Sequence, residues 1–325
     1  MTTAPYSVII VGSYVQDHVW LTDEFPQPGE TRRALGFSTG PGGKGFNQAI
    51  ACVRQGGHAL FIGAIGADAL GQVARDYAVR EHLACEWRVV DGVPTAAAGI
   101  VVNAEGSNQI MVNLAANEKL DVEFLQSHAE HFAGAQVLLV QLENNLDAVR
   151  GALELAGRHG LLRVLNPAPM HADLDASLLA NCDVITPNET EFAQLLDRIS
   201  DDHVPAAQVS ATSDQQLHDY CRKLGVATCV ITLGSFGCFV SHDSGNLRGD
   251  RQSHYRLPAE TVHTIDTTGA GDTFSGALVA SLSDTRSRSF QESVIYANRV
   301  AALSTEKVGA ALAIPSKAEV IKRFN

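Results

Sequence analysis

An α/β architecture, with a mostly parallel sheet covered by helices on both faces, is what this chain predicts, and three observations carry it. Short apolar runs of strand length alternate with longer runs of helical period along the sequence. Where a strand-like run ends and a helix begins, glycines and polar groups gather, as they do at the carboxyl edge of a parallel sheet. The composition is that of an ordinary soluble globular chain, with 45% hydrophobic residues and a mean hydropathy of +0.01. The 325 residues leave ample room for a core, and a single domain over 1–325 is expected.

Taken in order, Ser7–Val11 is an unbroken apolar run of the kind buried on both faces of a sheet. A helix over Asn47–Gln55 follows from Ile50, Ala51 and Val53 behind a glycine turn. Ala59–Ile65 reads as a strand and Leu70–His82 as a helix. Next come a strand at Val137–Gln141, a helix at Asn145–Arg158, and strands at Arg163–Asn166 and Asp183–Thr186. Asp214–Leu224 is helical in period, and Cys229–Leu233 is a further strand. Tyr255–Ile265 alternates like an extended segment, and Phe274, Ala277, Leu278 and Leu282 then recur at helical spacing. Two stretches break the rhythm: Gly12–Thr39, and Thr95–Leu114 with strand-like runs at Ala98–Val102 and Gln109–Asn113. Ser200–Ser213, polar and aperiodic, reads as a surface insertion.

Three motifs sit at strand-to-helix junctions. Thr267-Thr268-Gly269-Ala270-Gly271-Asp272-Thr273-Phe274 puts a carboxylate just after a glycine turn at a helix start. Free N–H groups and partial positive charge there suit a phosphate or a developing oxyanion, while Asp272 could equally be a plain N-cap. Gly42-Gly43-Lys44-Gly45-Phe46-Asn47-Gln48-Ala49 is a second glycine turn opening a helix. Its spacing is not that of a P-loop. Lys44 and Asn47 offer donors for hydroxyls or phosphate oxygens, or Lys44 is simply solvated. In the third, Asp183 to Glu191, Asn188 and Glu191 share the face of a first helical turn. They form either a capping box or a pair of hard oxygens able to hold the water shell of magnesium, or both.

Charge and cysteine usage exclude other classes. A net charge of -12 argues against a general nucleic-acid or anionic-membrane surface. No apolar run reaches transmembrane length, and the first residues lack the basic start of a signal peptide. Six cysteines without a C-x-x-C pair read as thiols of a reducing cytoplasm. The histidines show no paired zinc spacing, and the Arg286–Arg288 region is too short for a nucleic-acid patch.

In their order and spacing the motifs resemble those of the ribokinase-like carbohydrate kinases (the phosphofructokinase B type), over nearly the whole chain from Gly12 to Pro315. Pro26-x-Pro28-Gly29-Glu30, Gln141-Leu142-Glu143, Leu165-Asn166-Pro167-Ala168-Pro169 and Thr186 to Glu191 look closest to the ribokinase branch. The resemblance implies a three-layer α/β/α sandwich with a small β lid formed by segments 12–40 and 95–115, and a homodimer through that lid. It implies ATP-dependent phosphorylation of a primary hydroxyl on a small sugar, ribose first, with Mg2+ and K+ as cofactors. A nucleoside kinase and a non-catalytic nucleotide- or sugar-binding regulator are the alternatives.

Carried over position by position, the resemblance makes Asp272 the base, with the N–H groups of Gly269, Ala270, Gly271 and Asp272 as an anion hole. Asp17, Gly43, Lys44, Asn47 and Glu143 match sugar-binding positions. Asn188, Thr232, Gly234, Ser235, Gly237, Gly271 and Asn298 match nucleotide-binding ones. Asn188 and Glu191 would organise magnesium through water. Asp266, Thr268, Ser304, Lys307 and Gly309 match a monovalent-cation site, with Ala313 where a serine is usual. Val15 stands where ribokinases commonly carry asparagine, which removes a hydrogen-bonding side chain. Phe46 replaces a small residue and is expected to narrow the pocket or stack on a ring. Trp20 and Trp87 are expected in or beside the lid, in core or dimer packing.

Overall fold

The computed structural model describes residues 6–243, 247–284 and 289–324. The Arg286–Arg288 region therefore lies outside the described residues. The strands are β1 (Val8–Val11), β2 (Val15–Leu21), β3 (Gly36–Gly42), β4 (Ala59–Gly66), β5 (Ala84–Val90), β6 (Ala97–Val102) and β7 (Asn108–Asn113). They continue with β8 (Val137–Val140), β9 (Leu162–Leu165), β10 (Val184–Ile185), β11 (Thr228–Thr232), β12 (Cys238–His242) and β13 (His254–Leu257). The helices are α1 (Lys44–Arg54), α2 (Ala69–Arg80), α3 (Val122–Ser127), α4 (Leu146–His159), α5 (Ala176–Leu179) and α6 (Glu189–Ile199). After them come α7 (Ala206–Val209), α8 (Asp214–Lys223), α9 (Ala270–Ser283), α10 (Phe290–Ser304) and α11 (Lys317–Phe324). No helix among the described residues is long and apolar enough to cross a membrane.

A nine-stranded sheet runs in the order β13-β12-β11-β10-β9-β8-β1-β4-β5. Its pairs from β11 through to β5 are parallel, and β12 and β13 extend one edge antiparallel. β1 shows why helices must cover both faces. Successive side chains of a strand point to opposite sides, and none of its four residues is polar. Ile9 and Val11 belong to the core cluster that also holds residues of α4, α6 and α8. Val8 and Ile10 pack with residues of α1, α9 and α10 on the other face. The result is a three-layer α/β/α sandwich, as the alternation of runs predicts.

The second sheet, in the order β3-β2-β6-β7, is built from the two stretches that break the rhythm. Its joint with the main sheet is the short link from β1 to β2. There Asn117 grips the backbone of Tyr14 from both sides: its Oδ1 accepts from Tyr14 N at 3.2 Å and its Nδ2 donates to Tyr14 O at 2.8 Å.

Several expectations change. Only the first residues of Tyr255–Ile265 form a strand; β13 stops at Leu257 because Pro258 has no N–H for the ladder. The segment 200–213 is not merely a surface insertion. Pro205 leads into the short helix α7, and Val204 and Val209 are buried in the core. Phe46 does not face a ligand pocket: it is fully buried, edge-on to Tyr14 at 5.1 Å and to Phe61 at 5.5 Å. Trp87 joins that cluster from edge strand β5, which charges at Glu86 and Arg88 hide from a search for apolar runs. Trp20 does lie in the second sheet, against Phe37.

Phe46→Ala removes a ring with no room to collapse and is expected to cost about 3–5 kcal/mol of stability. Urea unfolding of the two proteins measures it, with an unchanged m-value confirming that the loss is in the native state.

Candidate functional site

Two helix N-termini meet at the carboxyl edge of the main sheet. α1 begins after Gly43, whose φ of 86° is open to glycine; a Cβ there would also lie 2.7 Å from Val15 N. The first N–H of the helix, that of Lys44, donates to Glu143 Oε2 at 2.8 Å, and the Ser13 hydroxyl donates to the same oxygen. Glu143, at the end of β8, thus caps α1 from outside the helix and complements its positive end. α9 begins after Gly269, at φ 73°, where an added Cβ would lie 3.0 Å from Ala310 Cβ.

Asp272, in the first turn of α9, is 7% exposed. Asn47 Nδ2 donates to its Oδ2 at 3.0 Å and Gln48 Nε2 to its Oδ1 at 3.0 Å. Asp272 is therefore not an N-cap, because its carboxylate turns toward α1 and away from its own helix. Beside it is a cavity of about 140 Å³ that also takes in Lys44, Asn188, Glu191, Thr232, Gly269 and Gly271. Gly271 faces open space, where a Cβ would meet nothing within 4 Å. Among the described residues the N–H groups of Gly269, Gly271 and Asp272 have no hydrogen-bond partner, so they remain available to an anion. That of Ala270 does not, for it donates to Thr267 O at 3.2 Å. Of the four N–H groups expected to face an anion, three are thus without a partner among the described residues.

The capping box and the metal-site expectation fall on the same atoms. Asn188 N donates to Glu191 Oε2 at 2.9 Å and Glu191 N to Asn188 Oδ1 at 2.8 Å, at the start of α6. The other Glu191 oxygen stays uncommitted at the cavity wall.

Acidic groups crowd around one cation. Burial pushes the Asp17 carboxyl up to about 7, with the charges of Glu143 and Asp272 adding to the effect. Its carboxylate lies over Gly42, whose ideal Cβ would be 2.2 Å from Oδ2. Burial likewise raises Glu143 and Glu191 above the usual carboxylate range. For Lys44, burial favours the neutral amine, but Asp272, Glu143 and Glu191 more than reverse it and hold the ammonium above its usual value. Asn47 Oδ1 is buried without a partner, an acceptor waiting for a donor.

The remaining expected residues gather less tightly. Gly234, Ser235 and Gly237 shape the turn after β11, outside the lining of this cavity. Asn298, on α10, donates to Pro258 O at 2.8 Å and thereby ties the helix to the segment after β13. Asp266 accepts from Thr268 N at 2.9 Å and from Gly309 N at 2.8 Å, linking two loops. Burial alone would raise its carboxyl, but these donors outweigh it and hold it below the usual range. Ser304 Oγ donates to Ala301 O, and the Lys307 side chain points to Glu319 at 2.9 Å. Any part those two play in cation binding is left to their backbone carbonyls. Sequence reasoning missed Gln48, Gln141, Asn166 and Asn117, whose amides organise the site. Three of them stood inside quoted motifs, and their burial was the signal not yet visible.

Comparisons with known proteins place the chain as a whole. The pattern of the pfkB family carbohydrate kinases matches residues 6–317. A ribokinase of Haemophilus influenzae is 34% identical over 318 residues, 97% of this chain and 97% of its own. A deoxyribokinase of Salmonella typhi is 33% identical over 276 residues, 83% of each chain. The solved ribokinase of Arabidopsis thaliana complexed with ribose and ATP superposes with a TM-score of 0.83 at 25% identity, over 98% of both chains.

The raised Asp17 carboxyl has a consequence for stability. A folded-state value of about 7 against 3.8 means the folded chain binds this proton more tightly, so the contribution is present in acid and is lost as pH climbs through that window. Asp17→Asn is expected to unfold with a free energy on the order of 3 kcal/mol above wild type near pH 8, the two converging toward pH 4. Denaturant titrations at several pH values check the sign and the window.

Proposed function

The chain belongs to the pfkB family of carbohydrate kinases, phosphotransferases with an alcohol group as acceptor, and from that premise we propose that it transfers the γ-phosphoryl group of ATP to the primary hydroxyl of ribose. The observation that carries the reading is Asp272: a buried carboxylate held by two amide donors, beside unengaged N–H groups at a helix start and the Lys44 ammonium. We read the whole of 1–325 as one kinase unit, with segments 12–40 and 95–115 as its lid.

In the proposed reaction Asp272 accepts the proton of the sugar hydroxyl as that oxygen attacks the γ-phosphorus. The bond to the β,γ-bridging oxygen breaks and ADP leaves. Negative charge on the transferring group falls before the N–H groups of Gly269, Gly271 and Asp272 and the Lys44 ammonium. Asp17, the Asn47 Oδ1 left without a partner and the Gly43 backbone hold the sugar hydroxyls. Glu143 acts on the sugar side through the start of α1, which it caps. The turn of Thr232, Gly234, Ser235 and Gly237, with Asn298, borders the nucleotide. The lid keeps water, the competing acceptor, away from the phosphoryl group.

Magnesium fits this donor set: Asn188 and Glu191 are hard oxygen ligands at the cavity wall, suited to holding its hydration shell. When bound it supplies neutralising charge to the nucleotide phosphates. A monovalent cation fits the loops that Asp266, Thr268 and Gly309 hold together, where the carbonyls of Ser304, Lys307 and Gly309 would meet it. A homodimer through the lid is proposed on the exposed apolar residues of its strands, among them Phe37, Ile110 and Met111. The unpaired thiols fit a cytoplasmic protein.

One observation favours a second acceptor. Val15 packs with Ala96 and Ala98 and has no polar atom in its side chain. An acceptor lacking one ribose hydroxyl, a deoxyribose, loses nothing there. ADP release from Mg-ATP across ribose, deoxyribose, hexoses and nucleosides, with and without potassium, decides between these. Turnover with none of them, despite ATP binding, would leave the binding-regulator reading.

Asp272→Asn should lower kcat by about 100- to 10,000-fold while ATP binding persists, and turnover near wild type would remove Asp272 from the mechanism. Val15→Asn should raise the preference for ribose over deoxyribose by about tenfold, read as the ratio of kcat/KM values. Because a deprotonated Asp17 binds hydroxyls best, the sugar KM should fall several-fold as pH rises from about 6 to about 8. In Asp17→Asn that dependence should vanish.

A further inference from the structure

Behind Asp272 lies a chain of buried side-chain amides. Gln48 donates Nε2 to Asp272 Oδ1 at 3.0 Å and to Asn166 Oδ1 at 3.0 Å. Its Oε1 accepts from Gln141 Nε2, and Asn166 donates Nδ2 to the backbone carbonyl of Thr186 at 2.9 Å. All three amide residues are buried. The amides come from α1 and from the ends of β8 and β9, so the main sheet itself anchors them.

The two ends of a side-chain amide are told apart by their partners, and here the far end of the chain decides. A peptide carbonyl only accepts, so Asn166 must turn its NH2 to Thr186 and its oxygen to Gln48. Gln48 must then present NH2 on that side, and the second hydrogen of the same group reaches Asp272. The Gln141 NH2 then meets the Gln48 oxygen, while its own Oε1 stays without a partner, so the orientation is set from the Asn166 side. A backbone group at the end of β10 thus dictates that Asp272 Oδ1 meets a donor. With Asn47 on Oδ2, both oxygens are gripped, and turning the carboxylate about its Cβ–Cγ bond would break both bonds.

We propose that Gln48 is a positioning residue for phosphoryl transfer: its amide, oriented by Asn166, locks the Asp272 carboxylate in the plane from which it meets the sugar hydroxyl. The role rests on the reading of Asp272 as the base. Gln48 itself does not touch the cavity; the two residues its amide donates to, Asp272 and Asn166, do. Misplacement of a reacting group by about an ångström costs roughly 100-fold in rate, so a loosened carboxylate shows in turnover rather than in nucleotide binding.

The test is steady-state kinetics of Gln48→Leu, Gln48→Glu, Asp272→Asn and the double variant Gln48→Leu/Asp272→Asn on the full chain. Gln48→Leu is expected to lower kcat about 10- to 100-fold with the ATP KM within about twofold of wild type. In the Asp272→Asn background the same change should cost less than about threefold, because the group it positions is gone. Gln48→Glu keeps the shape. It should be as impaired near pH 8 and recover relative to wild type toward about pH 6, where the introduced acid is protonated and again donates to Asp272. A packing role predicts neither the recovery nor the loss of effect in the double variant. Should Gln48→Leu fail to fold, the pH response of Gln48→Glu decides.

The proposal is overturned if kcat of Gln48→Leu stays within about twofold of wild type, or if its fold-loss is the same with and without the Asp272 carboxylate. It is overturned equally by a Gln48→Glu loss that does not change with pH. An inactive Asp272→Asn beside an unimpaired Gln48→Leu removes the positioning role alone. An active Asp272→Asn removes the base reading and this role with it.

Discussion

The side chains that meet at Asp272 come from helices whose residues lie 225 positions apart, and what lets them meet is a backbone contact at Gly276. A Cβ on Gly276 would come within 2.2 Å of the Gln48 carbonyl oxygen and 2.6 Å of Ala51 Cβ. Helices α1 and α9 therefore touch at Gly276 with no side chain from α9 between them. On its other side α1 is held as tightly, since a Cβ on Gly45 would lie 2.5 Å from Gly12 Cα at the end of β1. Side-chain amides are short, and only at this spacing do Asn47 and Gln48 both reach the carboxylate. The same approach sets two helix N-termini side by side at one cavity, where their partial positive charges add.

That convergence offsets an electrostatic difficulty. Asp17, Glu143, Glu191 and Asp272 surround a single lysine in a chain of net charge -12, and the expected ligand is an anion. Each of these carboxylates faces N–H groups or the Lys44 ammonium, with one exception. Asp17, which lies over Gly42 without such donors, is the carboxyl most clearly displaced, up to about 7. Stability is given up at a place where the proposed sugar acceptor would supply the missing donors, a common relation between binding sites and stability.

The second sheet adds a constraint of another kind. Asn117 fixes the Tyr14 backbone at the link between the sheets, and Gln16 donates to Gly40 O at 2.9 Å across β2 and β3. Asp17 is thereby held at a set height above the start of α1 by peptide groups rather than by packing. The outer face is left apolar and exposed at Phe37 and Met111.

Much of the fold was legible in the sequence, because strands buried on both faces are unbroken apolar runs and helices carry their own period. β5 and β13 were less legible, since edge strands mix charged and apolar residues and a proline ends the second of them. Asp272, Lys44, Asn47, Asn188 and Glu191 could be singled out from spacing at strand-to-helix junctions, which is a local property, and were joined as one site by the family resemblance. Local spacing could not say that Ala270 spends its N–H on Thr267, that Phe46 turns into the core, or that three amides align behind Asp272. Those facts depend on which residues distant in sequence are brought within 3 Å, and a hydrogen bond has a direction only once both partners are in place. The sequence by itself determined which chemical groups stand at the ends of the strands. The tertiary structure alone decided which of them face each other, because that choice is made by backbone contacts at Gly45 and Gly276 and by one peptide carbonyl at Thr186.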